Sequence, residues 1–172
     1  LKVPKELATE GRKVWENTLV GYFLDKKLPL FLVKNSTSRL WNSFGLIDTL
    51  VTDYGFFFFK FSTASDRDEV LEGGPWYVAG QPIILQKWKP NLKLEKEALK
   101  KIPIWIKLKG LPMEYWSSKA LSYIISMLGN PLHVDHMTAS GERVNYARVC
   151  VEVSSNTELI REFEIEVEDD DS

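Results

Sequence analysis

One cysteine, Cys150, in 172 residues excludes an intramolecular disulfide and a cysteine-based zinc site within the chain, and suits a reducing compartment. Histidine is nearly as scarce. His133 and His136, with Asp135 between them, have no further ligand pair nearby and read as residues flanking a strand rather than as a metal site. Long apolar runs are missing too. The longest lies around Tyr54 to Phe59, far short of the roughly 20 residues that span a bilayer as a helix, so no membrane span is expected. The first residues, Leu1-Lys2-Val3-Pro4-Lys5-Glu6, carry no secretory apolar segment, and a start at Leu1 suits an excised fragment. The expected location is intracellular, in the nucleus and/or cytoplasm.

Catalytic signatures are also missing. There is no nucleophile elbow, Walker loop, Rossmann glycine pattern or His-Glu-x-x-His, and the Gly73-Gly74 pair is explained by ending a helix. The carboxylates sit mostly at helix starts and in the tail, where solvation accounts for them. The expectation is a binding module, not an enzyme, with no cofactor.

What is present describes a folded chain. Hydrophobic residues make up 44% and charged residues 27%, unlike the charge-rich, aromatic-poor profile of disordered chains. The length suits one large domain or two small ones. The net charge of -2 hides an asymmetry: residues 152–172 hold nine acids and one base, Arg161, whereas the other 151 residues hold 21 bases and 15 acids, or +6. The tail is acidic and the body mildly basic.

Alternating Val, Tyr and Phe over 19–24 predict a strand. Pro29 pre-sets a helix carrying Leu30, Val33, Leu40, Trp41 and Phe44, which Gly45 stops. A strand over 46–52, a turn at Asp53-Tyr54-Gly55 and an aromatic strand over 56–61 predict a hairpin. Thr63 or Ser65 caps a helix through Leu71, with Asp66, Asp68 and Glu69 in its first turn, and Gly73-Gly74-Pro75 ends it. Strands over 76–78 and 83–88, around a Gly80 turn, complete a βαββαβ order. The predicted class is therefore α+β, with a ferredoxin-like unit of the kind used by RNA-recognition domains over residues 15–90.

A charged connector over 91–101 follows, and the rhythm then restarts as a second, incomplete βαββ unit over 102–168, packed on or beside the first. In its opening strand Ile104, Ile106 and Leu108 alternate with Trp105, Lys107 and Lys109. Gly110-Leu111-Pro112 breaks that strand, and Ser117 or Ser118 opens a helix bearing Leu121, Ile124, Ile125 and Leu128. Strands over 132–136 and 146–153 follow, with alternation over 162–167 suggesting a last one.

Two surfaces are candidates for binding. Period-two geometry puts Phe56, Phe58 and Lys60 on one face of the third strand and Phe57, Phe59 and Phe61 on the other. The RNA-recognition signature, Lys/Arg-Gly-Phe/Tyr-Gly/Ala-Phe-Val-x-Phe/Tyr, aligns on Tyr54-Gly55-Phe56-Phe57-Phe58-Phe59-Lys60-Phe61 and puts Phe56 and Phe58 at the base-stacking positions. Tyr22 stands beside them, and Ile84 and Trp88 widen the surface. The alternative is that the second unit covers this apolar face. On the second unit, Trp105, Lys107, Lys109 and Arg148 form an outward set of one ring among cations, suited to tracking a single strand, or else a solvated sheet face.

The run Leu71-Glu72-Gly73-Gly74-Pro75-Trp76, followed by Gly80 and Trp88-Lys89-Pro90, resembles a plant family. So do Pro103-Ile104-Trp105-Ile106-Lys107-Leu108, Gly110-Leu111-Pro112, Trp116, Val134-Asp135, Thr138 and Ala147-Arg148-Val149-Cys150-Val151-Glu152-Val153. The family is a domain of unknown function found in LINE-type retrotransposon first-reading-frame proteins and their zinc-knuckle relatives. The resemblance covers about residues 15–153 and implies a ribonucleoprotein role in packaging element RNA, often with a Cys/His knuckle downstream. Residues 151–172 contain no such knuckle. The partner expected is single-stranded RNA or DNA, bound without sequence preference. The rival expectation is a protein-interaction or self-association module, which the acidic tail suits because it repels nucleic acid.

Overall fold

The computed structural model describes residues 1–24, 26–95 and 100–168, so part of the predicted connector, 96–99, and the end of the acidic tail, 169–172, lie outside the described residues. Among those described, the chain builds a five-stranded sheet followed by a three-stranded one. Helix α1 (Lys5–Trp15) precedes β1 (Thr18–Tyr22). Then come α2 (Leu30–Leu40), β2 (Leu46–Val51), β3 (Phe57–Phe61), α3 (Ala64–Gly73), β4 (Trp76–Val78) and β5 (Gln81–Lys87). The second half contains β6 (Lys101–Leu108), α4 (Ser118–Ile125), β7 (Asn130–Val134), α5 (His136–Ser140) and β8 (Ala147–Ser154).

The first sheet runs β2-β3-β1-β5-β4. Strand β1 lies antiparallel between β3 and β5, so each helical crossover spans an intervening strand. That is the ferredoxin-like order, with β4 added at the edge. Local chemistry supports the elements. The Thr63 hydroxyl accepts from the Asp66 amide at 3.1 Å and caps α3, and Ser117 does the same for α4 through Ala120.

Every second residue of β3 points under α2 and α3. Phe57, Phe59 and Phe61 are buried there with Leu19, Val33, Trp41, Val70 and Leu85. The Trp41 ring meets Phe59 edge-on at 4.9 Å and Trp76 at 5.9 Å, a favoured aromatic geometry. The Trp76 indole donates to the Val70 carbonyl at 2.7 Å. Gly21 is needed at the centre of β1, because a Cβ there would stand 2.7 Å from the Phe59 ring.

The second sheet, β6-β8-β7, packs one face on α4. Val149, Val151 and Val153 meet Leu121 and Ile125 there, with Ile104, Ile106 and Leu108 alongside. The alternation over 162–167 does not form a strand: these residues take no regular structure, and Phe163 packs against the aliphatic core. Two helices fall outside the sequence expectation, α1 and the short α5, which Asp135 caps by accepting from the Thr138 amide at 3.0 Å. Among the described residues no helix is long and apolar enough to cross a membrane.

Candidate nucleic-acid interface

The outer face of the first sheet carries Val20 opposite Phe58 and Gln86, and Tyr22 opposite Ile84. Much of it is covered by the chain itself. Tyr22 and Phe56 are buried with Val20, and Leu92 and Leu94 of the connector pack over them with Ile84 and Trp88. The Tyr22 hydroxyl donates to the Lys101 carbonyl at 2.5 Å, and burial, aided by the Glu152 charge, pushes its pKa up. Tyr22 and Phe56 therefore do not offer free ring faces to a base. The signature-like spacing is present, but the connector occupies the surface it would serve.

The remainder of this face is only partly covered, although Phe58 and Trp88 also pack against that cluster. Phe58 is half-buried and meets the Trp15 ring at 5.4 Å. The Lys60 ammonium lies 4.8 Å from the centre of that same ring, within cation–π range. Trp88 is half-buried as well. Helix α1 delivers Trp15 from its last turn, where Arg12 and Lys13 are exposed. Sequence reasoning missed Trp15, although Ala8 and Trp15 are one heptad apart and signal the helix face that rests on the sheet.

The set predicted on the second unit is divided. Trp105 packs against the core of the first unit, with the Arg148 guanidinium 4.4 Å from its ring centre. Arg148 also donates to the Glu72 carbonyl at 2.6 Å and lies 3.9 Å from the Asp135 carboxylate. Both residues bind the two halves together, which corrects the expectation of a free outward set. Lys107 and Lys109 do remain exposed. Lys107 lies 4.7 Å from the centre of the Tyr146 ring and Arg143 lies 4.1 Å from it.

The physical reason is that the second sheet buries both faces. Trp105 and His133 each pair in register with Cys150, on the side turned toward the first unit. Burial there, reinforced by Lys87, lowers the His133 pKa to about 4, and burial raises Cys150 to about 12. Burial alone would raise Asp135, but hydrogen bonds from Thr138 and Arg143 outweigh it and hold the carboxyl low. Among the described residues, no three His, Cys, Asp or Glu side chains gather into a metal-sized cluster.

The profile of a domain of unknown function, DUF4283, matches residues 11–96, half of the chain. The chain belongs to the DUF4283 family. That match spans the C-terminal part of α1, the whole first sheet and the start of the connector, so Trp15, Phe58, Lys60 and Trp88 all lie within the DUF4283 region. No curated protein matches the chain. Among solved structures it is similar to the RNA-binding domain of Hrp1 in complex with RNA, at 16% identity over 79% of this chain and 80% of that one, with a TM-score of 0.38. It is also similar to the C. elegans NONO-1 homodimer, at 16% identity over 79% and 49%, TM-score 0.36. RNA recognition domains 1 and 2 of Sex-lethal from Drosophila melanogaster match at 15% identity over 80% and 86%, TM-score 0.35.

Proposed function

We propose that this chain is a nucleic-acid-binding module that holds single-stranded RNA, without sequence selectivity, at the partly open edge of its first sheet where α1 meets β3. The observation that carries this reading is the contact of Trp15 of α1 with Phe58 and Lys60 of β3: two half-buried rings and a cation side by side at the outer face of the sheet. A base stacked on such a ring contributes roughly 1 to 3 kcal/mol and tolerates any sequence. Arg12, three residues before Trp15 on α1, is exposed and shares its side of the helix, which makes it a cation for a neighbouring phosphate. Lys107 and Lys109 supply a separate exposed pair.

In this reading the chain acts by binding alone, without catalysis. The resemblance of the 71–76 and 103–153 motifs supports a place in a retrotransposon-like ribonucleoprotein of a plant cell, with a zinc knuckle supplied from outside these residues.

Fluorescence anisotropy with a labelled mixed-sequence oligoribonucleotide tests the proposal. Three to five phosphate contacts give a log–log salt slope of roughly -2 to -4 on single strands. Phe58→Ala and Lys60→Glu should each weaken binding several-fold, and Lys60→Glu should also flatten the slope by about one contact. Lys34→Glu, on α2 across the sheet, should leave both unchanged. A flat salt response, or equal losses from Lys60→Glu and Lys34→Glu, would defeat the proposal.

A further inference from the structure

Helix α1 has no buried residue, yet one side of it is apolar. Val3, just before the helix, and Leu7 and Val14 within it lie along a single stripe at helical spacing, and Leu7 is 70% exposed. Ala8 and Trp15, on the neighbouring stripe, are the residues that rest against the fold. The helix is therefore held by one edge while its main apolar stripe faces outward. Its charge is basic: residues 1–15 hold Lys2, Lys5, Arg12 and Lys13 against Glu6 and Glu10, or +2.

On the second unit lies a surface of opposite character. A groove of about 1230 Å³ runs between α4 and the C-terminal segment. Tyr123 of α4 and Met127 just after it form one wall, Ile165 and Val167 the tail wall, and Glu166 and Glu168 the rim, with Lys119 as the one base among the lining residues. Tyr123 is 82% exposed. The volume exceeds the roughly 300 to 1,000 Å³ of small-molecule pockets, and an amphipathic helix laid by its apolar face is the polypeptide that fits such a groove. Residues 158–168 hold five glutamates against Arg161, or -4, which complements the +2 of α1.

We infer that α1 of one copy docks in the α4–tail groove of a second copy. The chain's own α1 does not reach its own groove: Trp15 pins it to the first sheet, and the groove lies on the α4 side of the second sheet, away from the face that packs on the first unit. A knob and a socket at different places on one molecule make a heterologous contact, which propagates head to tail. The inference is independent of RNA binding.

Sedimentation velocity on nuclease-treated full chain, over a wide concentration series, tests it. The wild type should show a mass that rises with concentration beyond the dimer. Leu7→Asp/Val14→Asp, which breaks the knob, and Tyr123→Asp/Met127→Glu, which breaks the socket, should each associate at least tenfold more weakly. All four residues are exposed, and thermal melts check that both variants stay folded. Mixing the two variants should restore association but stop it at the dimer, because the pair retains one intact knob and one intact socket. A wild type that stays monomeric throughout overturns the inference. So does a folded variant that associates like the wild type, or a mixture that stays monomeric.

Discussion

The first sheet closes its inner face with rings, Trp41 against Phe59 and Trp76 under two helices. The second closes its inner face with branched aliphatics, Val149, Val151 and Val153 under one helix. The first half has two helices for one face and its own connector and α1 for parts of the other. The second half has one core helix, α4, helped by Phe163, and its other face, with Trp105, His133 and Cys150, must use the first half as a wall. Completeness thus differs between them, and dependence should run one way.

That asymmetry can be broken from either side. Trp41→Ala should cost about 3 to 5 kcal/mol and Leu121→Ala about 2 to 5 kcal/mol, but with different reach. The first should release protection across the whole chain in hydrogen exchange, since it removes the wall along with the core. The second should loosen β6 to β8 while β1, β3 and β5 stay protected. Equal spread of the two effects would show that neither half leans on the other.

A smaller loss is expected at the seam. Arg148→Ala removes the donor to the Glu72 carbonyl and the cation beside Trp105, and should cost about 2 kcal/mol, read in a denaturant melt. Arg148→Lys should recover little of it, because a point cation lacks the planar, multi-donor geometry.

The smallest effect is pH-dependent. His133 is neutral in the fold, with its pKa lowered to about 4 from an ordinary 6.5, so the unfolded chain binds its proton first as pH falls. Its contribution is fully present above about 6.5 and drains away toward 4. Stability should fall by about 1 to 2 kcal/mol between pH 7 and pH 5, and His133→Gln should remove that slope. Glu72, whose carboxyl burial pushes up, acts in the opposite sense, so the comparison with His133→Gln isolates the histidine.

Much of the first half is legible in the sequence because its signals are local. Pro29, Gly45, the Gly55 turn, Thr63 and Gly73-Gly74-Pro75 punctuate the βαββαβ order, and period-two alternation assigns Phe57, Phe59 and Phe61 to the core side. The candidate site is less legible because it depends on what covers what. Alternation separates the faces of β3 but does not reveal that Leu92 and Leu94 fold back over Tyr22 and Phe56. In β6 the same alternation puts Trp105, Lys107 and Lys109 on one side, while long-range packing decides that Trp105 meets another core and Lys107 meets solvent. Helix α1 escapes notice because its apolar stripe is short and its charges are mixed.

Cys150 gives the chain a built-in reporter. As the only thiol, placed at the seam and held protonated by burial, it is shielded from alkylating reagents for as long as the halves stay closed, because the thiolate is the reactive form. The rate at which a maleimide finds it therefore times the parting of the two sheets, with no residue changed.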